Sequence, residues 1–239
     1  MYVLRKNQIV FMCLVVLLGI SYFSFKDQAV LPVSSTPVTA HTVVLDAGHG
    51  LPDGGAVSQN GVSESSINLS IILKLQELLE ASNCNVILTR SDENGIYDAD
   101  AKNKKASDLK NRVELANDPI AEILVSVHLN KISGEKYYGW QTFYQKTSEN
   151  SKKLANNIQN NLNYSIAREN KRTILPLTNI YLMDNSKIPT VTVECGFLSN
   201  NEDTRLLQTD EYQNNIAWGI YGGIMDYFKN LWYNFYVVY

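Results

Sequence analysis

The chain has 239 residues, 45% hydrophobic and 19% charged, which suits one domain with a sizeable core plus an appendage. A net charge of -3 leaves no basic surface of the kind that binds nucleic acid. Three cysteines, Cys13, Cys84 and Cys195, are too few and too scattered for a disulfide framework, and Cys84 and Cys195 are read as reduced and buried.

In chain order, Arg5 and Lys6 precede an apolar run over 9–20, a positive region and apolar core of secretory type. With Tyr22 and Phe23 the run approaches the ~17 residues that a membrane span needs. The bulky residues 21–26 offer no small-x-small cleavage site. Residues 1–25 are therefore read as a signal peptide or an uncleaved membrane anchor, the anchor preferred. Basic residues ahead of the run place the remainder outside the cell, so the expected location is exported, in the cell envelope. Residues 26–40, with Pro32, Pro37 and Ser34, read as a linker. One domain then occupies 41–230, and an aromatic tail 231–239.

Within the domain, strands are expected over 42–46, 85–89, 123–128, 140–144, 179–183 and 190–194. Helices are expected between them. In 65–81, Ile67, Ile71, Ile72, Leu75, Leu78 and Leu79 recur at helical spacing. The same periodicity marks 109–117, 148–162 and 211–228, with Asp210 the expected N-cap of the last. The polar stretch 91–106 reads as a solvated loop. This alternation specifies an α/β class: a single domain with a central twisted, mostly parallel or mixed sheet flanked by helices.

Two of the three histidines end apolar runs. Val43-Val44-Leu45-Asp46-Ala47-Gly48-His49-Gly50 delivers His49 onto a tight loop, and Ile123-Leu124-Val125-Ser126-Val127-His128 ends in His128. Two strand-end histidines can converge over one sheet edge, at the C-terminal strand ends where open α/β folds place their sites. Two imidazoles and a carboxylate bind zinc and leave its fourth position open for chemistry. Glycines beside His49 let the backbone approach something closely. Glu64 supplies a carboxylate: the loop from His49 leaves the strand end and returns to the same edge at Glu64. Each residue also has a plainer reading. His49 could be satisfied by loop backbone, His128 by the core, and Glu64 by the helix dipole.

Glu194 ends the run Val191-Thr192-Val193. A carboxylate there is costly unless paired or used. Arg90 or Arg112 could pair with it. Beside a metal-activated water it would instead serve as general acid–base. Cys195 has no neighbouring positive charge to lower its pKa, which argues against a cysteine nucleophile.

Leu45-Asp46-Ala47-Gly48-His49-Gly50, Glu64, Ser126-Val127-His128-Leu129-Asn130 and Val193-Glu194-Cys195-Gly196-Phe197-Leu198-Ser199-Asn200 resemble, in order and context, the zinc-dependent N-acetylmuramoyl-L-alanine amidases of the amidase-3 type. The resemblance spans about 42–228. It implies one Zn2+ on His49, Glu64 and His128, with Glu194 catalytic. It also implies a peptidoglycan substrate, cut between N-acetylmuramic acid and the L-alanine of the stem peptide. Leu51-Pro52 and Cys195 depart from the usual pattern without removing a ligand. The short stretch between His128 and Glu194 shows no extra helical insert to block the site. With one export segment and no wall-binding repeats, the chain looks most like the germination-specific amidases that act on spore cortex, where stem-peptide removal prepares muramic lactam. An accessory activating protein is a further expectation. The rival readings are another zinc hydrolase that cuts within the stem peptide, and a non-catalytic wall-binding protein.

Overall fold

The structure is a computed structural model that describes residues 40–236, with side chains described to residue 230. The export segment and nearly all of the linker lie outside the described residues. Among the described residues six strands form one sheet: β1 (Thr42–Ala47), β2 (Asn85–Leu88), β3 (Ile123–Asn130), β4 (Gln141–Gln145), β5 (Leu175–Leu177) and β6 (Thr190–Phe197). Their spatial order is β2-β1-β3-β6-β4-β5. The first four are mutually parallel, β4 runs antiparallel to β6, and β5 is parallel to β4. The expected mixed, mostly parallel α/β sheet is what forms.

Strand side chains alternate between faces. On one face Val43 and Leu45 of β1, Val125 and Val127 of β3, and Val191 and Val193 of β6 enter the main core. Three helices cover it: α1 (Glu64–Ala81), α3 (Glu149–Ser165) and α6 (Asp210–Tyr236). They bury Ile71, Leu75, Leu154, Ile158, Ile216 and Ile220 against the sheet. On the other face Val44 and Leu124 meet Ala116 of α2 (Lys104–Ala116) and Leu182 of α4 (Tyr181–Asn185) in a smaller cluster. A seven-residue helix, α5 (Asn201–Leu207), follows β6. The two-residue period also sends Asp46, Ser126, His128 and Glu194 to the α2 face. Both faces of the central strands are covered, which is why their sequences read as near-continuous apolar runs. Among the described residues no helix is long and apolar enough to cross a membrane.

Several expectations are corrected. The strand expected over 179–183 is absent. Asn179 adopts a left-handed conformation (φ 63°), the chain turns into α4, and the edge strand is β5 instead. A short apolar run cannot by itself distinguish strand from helix. The loop expected to 106 ends earlier, because Asn103 caps α2 by accepting from Ala106 N at 3.0 Å. Asp210 is not the N-cap of α6. Thr209 Oγ1 accepts from Tyr212 N (3.3 Å), and Asp210 sits in the first turn, ion-paired with Lys74. That helix continues past 228 to Tyr236, and α5 carries no periodic signal in its seven residues. Between His128 and Glu194 the short α4 is present beside the cleft rather than across it: Leu182 lines the wall and both histidines keep solvent exposure. Cys84 and Cys195 are free and buried, as expected.

Candidate metal centre

Sheet register builds the site. His128 and Glu194 are Cα partners across β3 and β6, so both lie side by side on the α2 face. One step back along the strands, Asp46 pairs with Ser126 and Ser126 with Thr192. The strand-end loop carries His49 in a left-handed conformation (φ 64°) and brings the chain back to Glu64 at the start of α1.

Glu64 is the hub. Its Oε1 accepts from Leu129 N (3.0 Å) and from His128 Nδ1 (3.0 Å), and lies 3.3 Å from His49 Nε2. Its Oε2 accepts from Ala56 N at 2.8 Å. The two imidazoles meet edge to face, with centroids 5.0 Å apart. One donor atom from each of His49, Glu64 and His128 lies within 4.8 Å of the other two. Glu64 is 4% exposed in its side chain, whereas His49 and His128 keep 20% and 27%, so the cluster opens to solvent on one side. Burial by itself would raise the Glu64 carboxyl; hydrogen bonds and charge from His128 and His49 outweigh it and hold it well below the usual carboxylate range. Burial would lower His49, but Glu64 and Asp53 raise it overall.

The glycines explain the close approach. A Cβ on Gly48 would stand 2.3 Å from the His128 ring, and one on Gly55 would stand 2.7 Å from Glu64 Oε2. Asp53 Oδ2 lies 3.1 Å from His49 Nδ1, so the far nitrogen of that ring is anchored. Such an outer carboxylate fixes tautomer and orientation in metal sites. Asn68 Nδ2 donates to Gly48 O (3.1 Å). Arg90 donates to the carbonyls of Ala47, Gly48, Ser65 and Asp92. Arg112 donates to Asp46, Asp108 and the carbonyls of Ala47 and His49.

Both arginines are therefore used by the loop, and neither pairs with Glu194. Glu194 Oε2 is buried without a hydrogen-bond partner among the described residues. Burial pushes its carboxyl up to about 7, with Glu64 adding to the rise and the two histidines opposing it. A carboxyl poised near neutrality suits both accepting and donating a proton. A cleft of about 190 Å³ opens over these groups, walled by Leu177, Ile180 and Leu182. Cys195 is fully buried and its thiol is pushed well up by burial, so it is no nucleophile.

The structure thus gathers all four expected residues at one point. The sequence alone left Asp53, Asn68 and the two arginines without a role in holding the His49 loop. Asp53 follows His49 by four residues and Asn68 follows Glu64 by four; the helical spacing of the latter pair was a readable signal.

A two-histidine, one-carboxylate cluster open on one side, with an unpaired acid beside it on an α/β sheet, has the layout of a metal-assisted hydrolase site. Over residues 43–226 the sequence matches the N-acetylmuramoyl-L-alanine amidase family of amidase-3 type, and the chain belongs to it. It is a peptidoglycan amidase. It is 33% identical over 217 residues to the germination-specific N-acetylmuramoyl-L-alanine amidase of Bacillus subtilis (strain 168), covering 90% of this chain and 91% of that one. The fold is similar to the CwlD amidase from Clostridioides difficile, solved in complex with the GerS lipoprotein: TM-score 0.77, 44% identity, 79% of this chain and 98% of that chain. An N-acetylmuramoyl-L-alanine amidase from Clostridium difficile 630 is also similar (TM-score 0.70, 30% identity, 80% and 97% coverage).

Proposed function

We propose that this amidase is zinc-dependent, with His49, Glu64 and His128 as ligands and Glu194 as general acid–base. The donor set fits the ion. Tetrahedral ligands about 2.0–2.1 Å from zinc stand roughly 3.3 Å apart, and His49 Nε2 and Glu64 Oε1 are separated by 3.3 Å. Three protein ligands leave one position for chemistry. Bound zinc supplies an acidified water and polarises the scissile carbonyl. Glu194 Oε2, which has no hydrogen-bond partner among the described residues, takes the proton of the attacking water and passes it to the departing alanine nitrogen. Asp53 holds His49 by its far nitrogen, and the two arginines keep the loop carbonyls in place. The observation that carries this reading is the convergence of three donors beside one unpaired carboxyl.

Similarity to the germination-specific amidase supports action on spore cortex, in preparation for germination. The GerS complex of the CwlD amidase supports an accessory lipoprotein partner for this chain as well. Export by residues 1–25, with or without retention as an anchor, belongs to the same reading and lies outside the described residues.

The test is digestion of purified peptidoglycan with the zinc-loaded full chain. Free stem peptides beginning with L-alanine are expected; fragments cut inside the stem would refute the amide specificity. Glu194→Gln should retain one zinc and lose turnover by at least about 100-fold. His49→Ala should lose zinc. Undiminished turnover in the first, or full zinc occupancy in the second, reassigns that residue.

A further inference from the structure

Among the described residues Arg172 and Arg90 are the arginines without an ion pair, and Arg90 spends its donors on the carbonyls of Ala47, Gly48, Ser65 and Asp92. Arg112 pairs with Asp46 and Asp108, Arg168 with Asp203, and Arg205 with Glu202. Arg172 forms no ion pair among the described residues. Its Nε donates to Tyr138 O (2.9 Å) and its Nη1 to Gln141 Oε1 (3.1 Å), which leaves Nη2 without an acceptor among the described residues. The guanidinium stacks on Phe197, 4.4 Å from the ring centroid.

This support is rigid. Phe197 N and Gly139 N both donate to Asp203 Oδ2, at 2.9 and 3.0 Å, and Arg168 holds the other oxygen of that carboxylate. Gln141 is locked from its amide end, donating to Thr173 O at 2.7 Å. The group is therefore a pre-oriented, half-exposed fork with an open edge, held at little further entropic cost.

Its place relative to the acid is set by register. Gln141 is the Cα partner of Glu194, which is the partner of His128. Adjacent strands stand about 4.8 Å apart, so the Gln141–Arg172 pair lies one strand beyond Glu194, on the side away from His128. An extended peptide advances about 3.3–3.6 Å per residue. A carboxylate on the residue after L-alanine thus stands roughly 7 Å from the scissile nitrogen, an offset between one and two strand spacings of about 4.8 Å.

We propose that Arg172 is a specificity-determining residue that binds a free carboxylate on the stem-peptide residue following L-alanine. The assignment rests on the amidase reading of the site. A planar fork favours a carboxylate over a neutral amide because its hydrogen bonds to the ionised group are charge-assisted.

The test uses the zinc-loaded full chain and two muramoyl peptides, identical except that the residue after L-alanine carries a carboxylate in one and a carboxamide in the other. Arg172→Gln should raise KM on the carboxylate substrate roughly 10- to 100-fold with kcat within about twofold. Arg172→Lys should recover part of the loss. Wild type should already show the raised KM on the carboxamide, and Arg172→Gln should add nothing there. Binding of the free, uncleavable stem peptides by calorimetry should rank the same way. Equal wild-type KM for the two substrates overturns the proposal, and so does an equal loss on both in the variant. That wild-type comparison stands even where Arg172→Gln fails to fold. Failure of the amidase reading gives a different signature: wild type releases an L-alanine amine from neither compound.

Discussion

Gly48 shows how little room the site leaves around its histidines. The His128 ring occupies the space where a Cβ would sit, 2.3 Å from its Cε1 and Nε2. His128 in turn is tied to Glu64 at 3.0 Å and cannot swing away without giving up that contact. Gly48→Ala is expected to cost about 1–3 kcal/mol of stability by overpacking, measured by urea unfolding of the metal-free protein. A neutral result would mean that the His128 ring moves freely. The same residue marks what was legible beforehand. A glycine beside a strand-end histidine announces close approach, but only the folded chain identifies the approaching group as the second histidine, eighty residues further along. His49, Glu64, His128 and Glu194 stood out as candidates because each lies at the end or the start of a periodic run. Asp53 and Arg172 did not, because neither lies on such a run.

At the scale of elements, α3 and α6 pack closely because α6 presents Gly219, Gly222 and Gly223 to its neighbour. A Cβ on Gly223 would fall 2.4 Å from Ile158 Cα, a backbone atom that cannot yield. On Gly222 it would meet the end of the Asn161 side chain at 2.6 Å, which can turn aside. Gly223→Ala should therefore destabilise by about 1–3 kcal/mol, despite the roughly 1 kcal/mol that alanine gains over glycine in a helix. Gly222→Ala should be near neutral. Equal midpoints for the two variants in urea would remove close helix packing as the reason for the glycines. The apolar stripe of α6 was evident from Ile216, Ile220 and Ile224. The partner was not, because periodicity states that a face is buried but not against which helix. The segment 179–183 failed for a related reason: five apolar-rich residues suit a strand or a helix turn equally, and packing of Leu182 against α2 settles the matter.

The whole molecule depends on a polar core beneath the site. Asp46 is almost wholly buried and accepts from Thr89 (2.8 Å), Ser126 and Arg112. Through Arg112 it joins β1, β3 and α2 to the His49 loop. Burial alone would raise the Asp46 carboxyl, but the Arg112 guanidinium, the His128 charge and the two hydroxyl donors hold it below its ordinary value. Its folded pKa thus lies below the unfolded value of about 3.9. The stability it contributes is full above that value and is lost as pH falls through the folded one. Asp46→Asn breaks a buried pair and should cost about 3 kcal/mol near neutrality. The gap between wild type and variant in urea midpoint should narrow below about pH 4. A gap independent of pH would show that the ionised carboxylate is not what stabilises this layer.

Local pattern by itself determined the class of fold and the order of most elements, and it singled out four candidate residues for the site. Two-residue and helical periods record burial one residue at a time, and strand ends mark where side chains leave the core. Only the tertiary structure decided which groups serve one another. Arg90 and Arg112 brace the His49 loop instead of neutralising Glu194, and Arg172 stands one strand beyond it. Those pairings join residues many positions apart through sheet register, and register is a property of neighbouring strands that no single strand encodes.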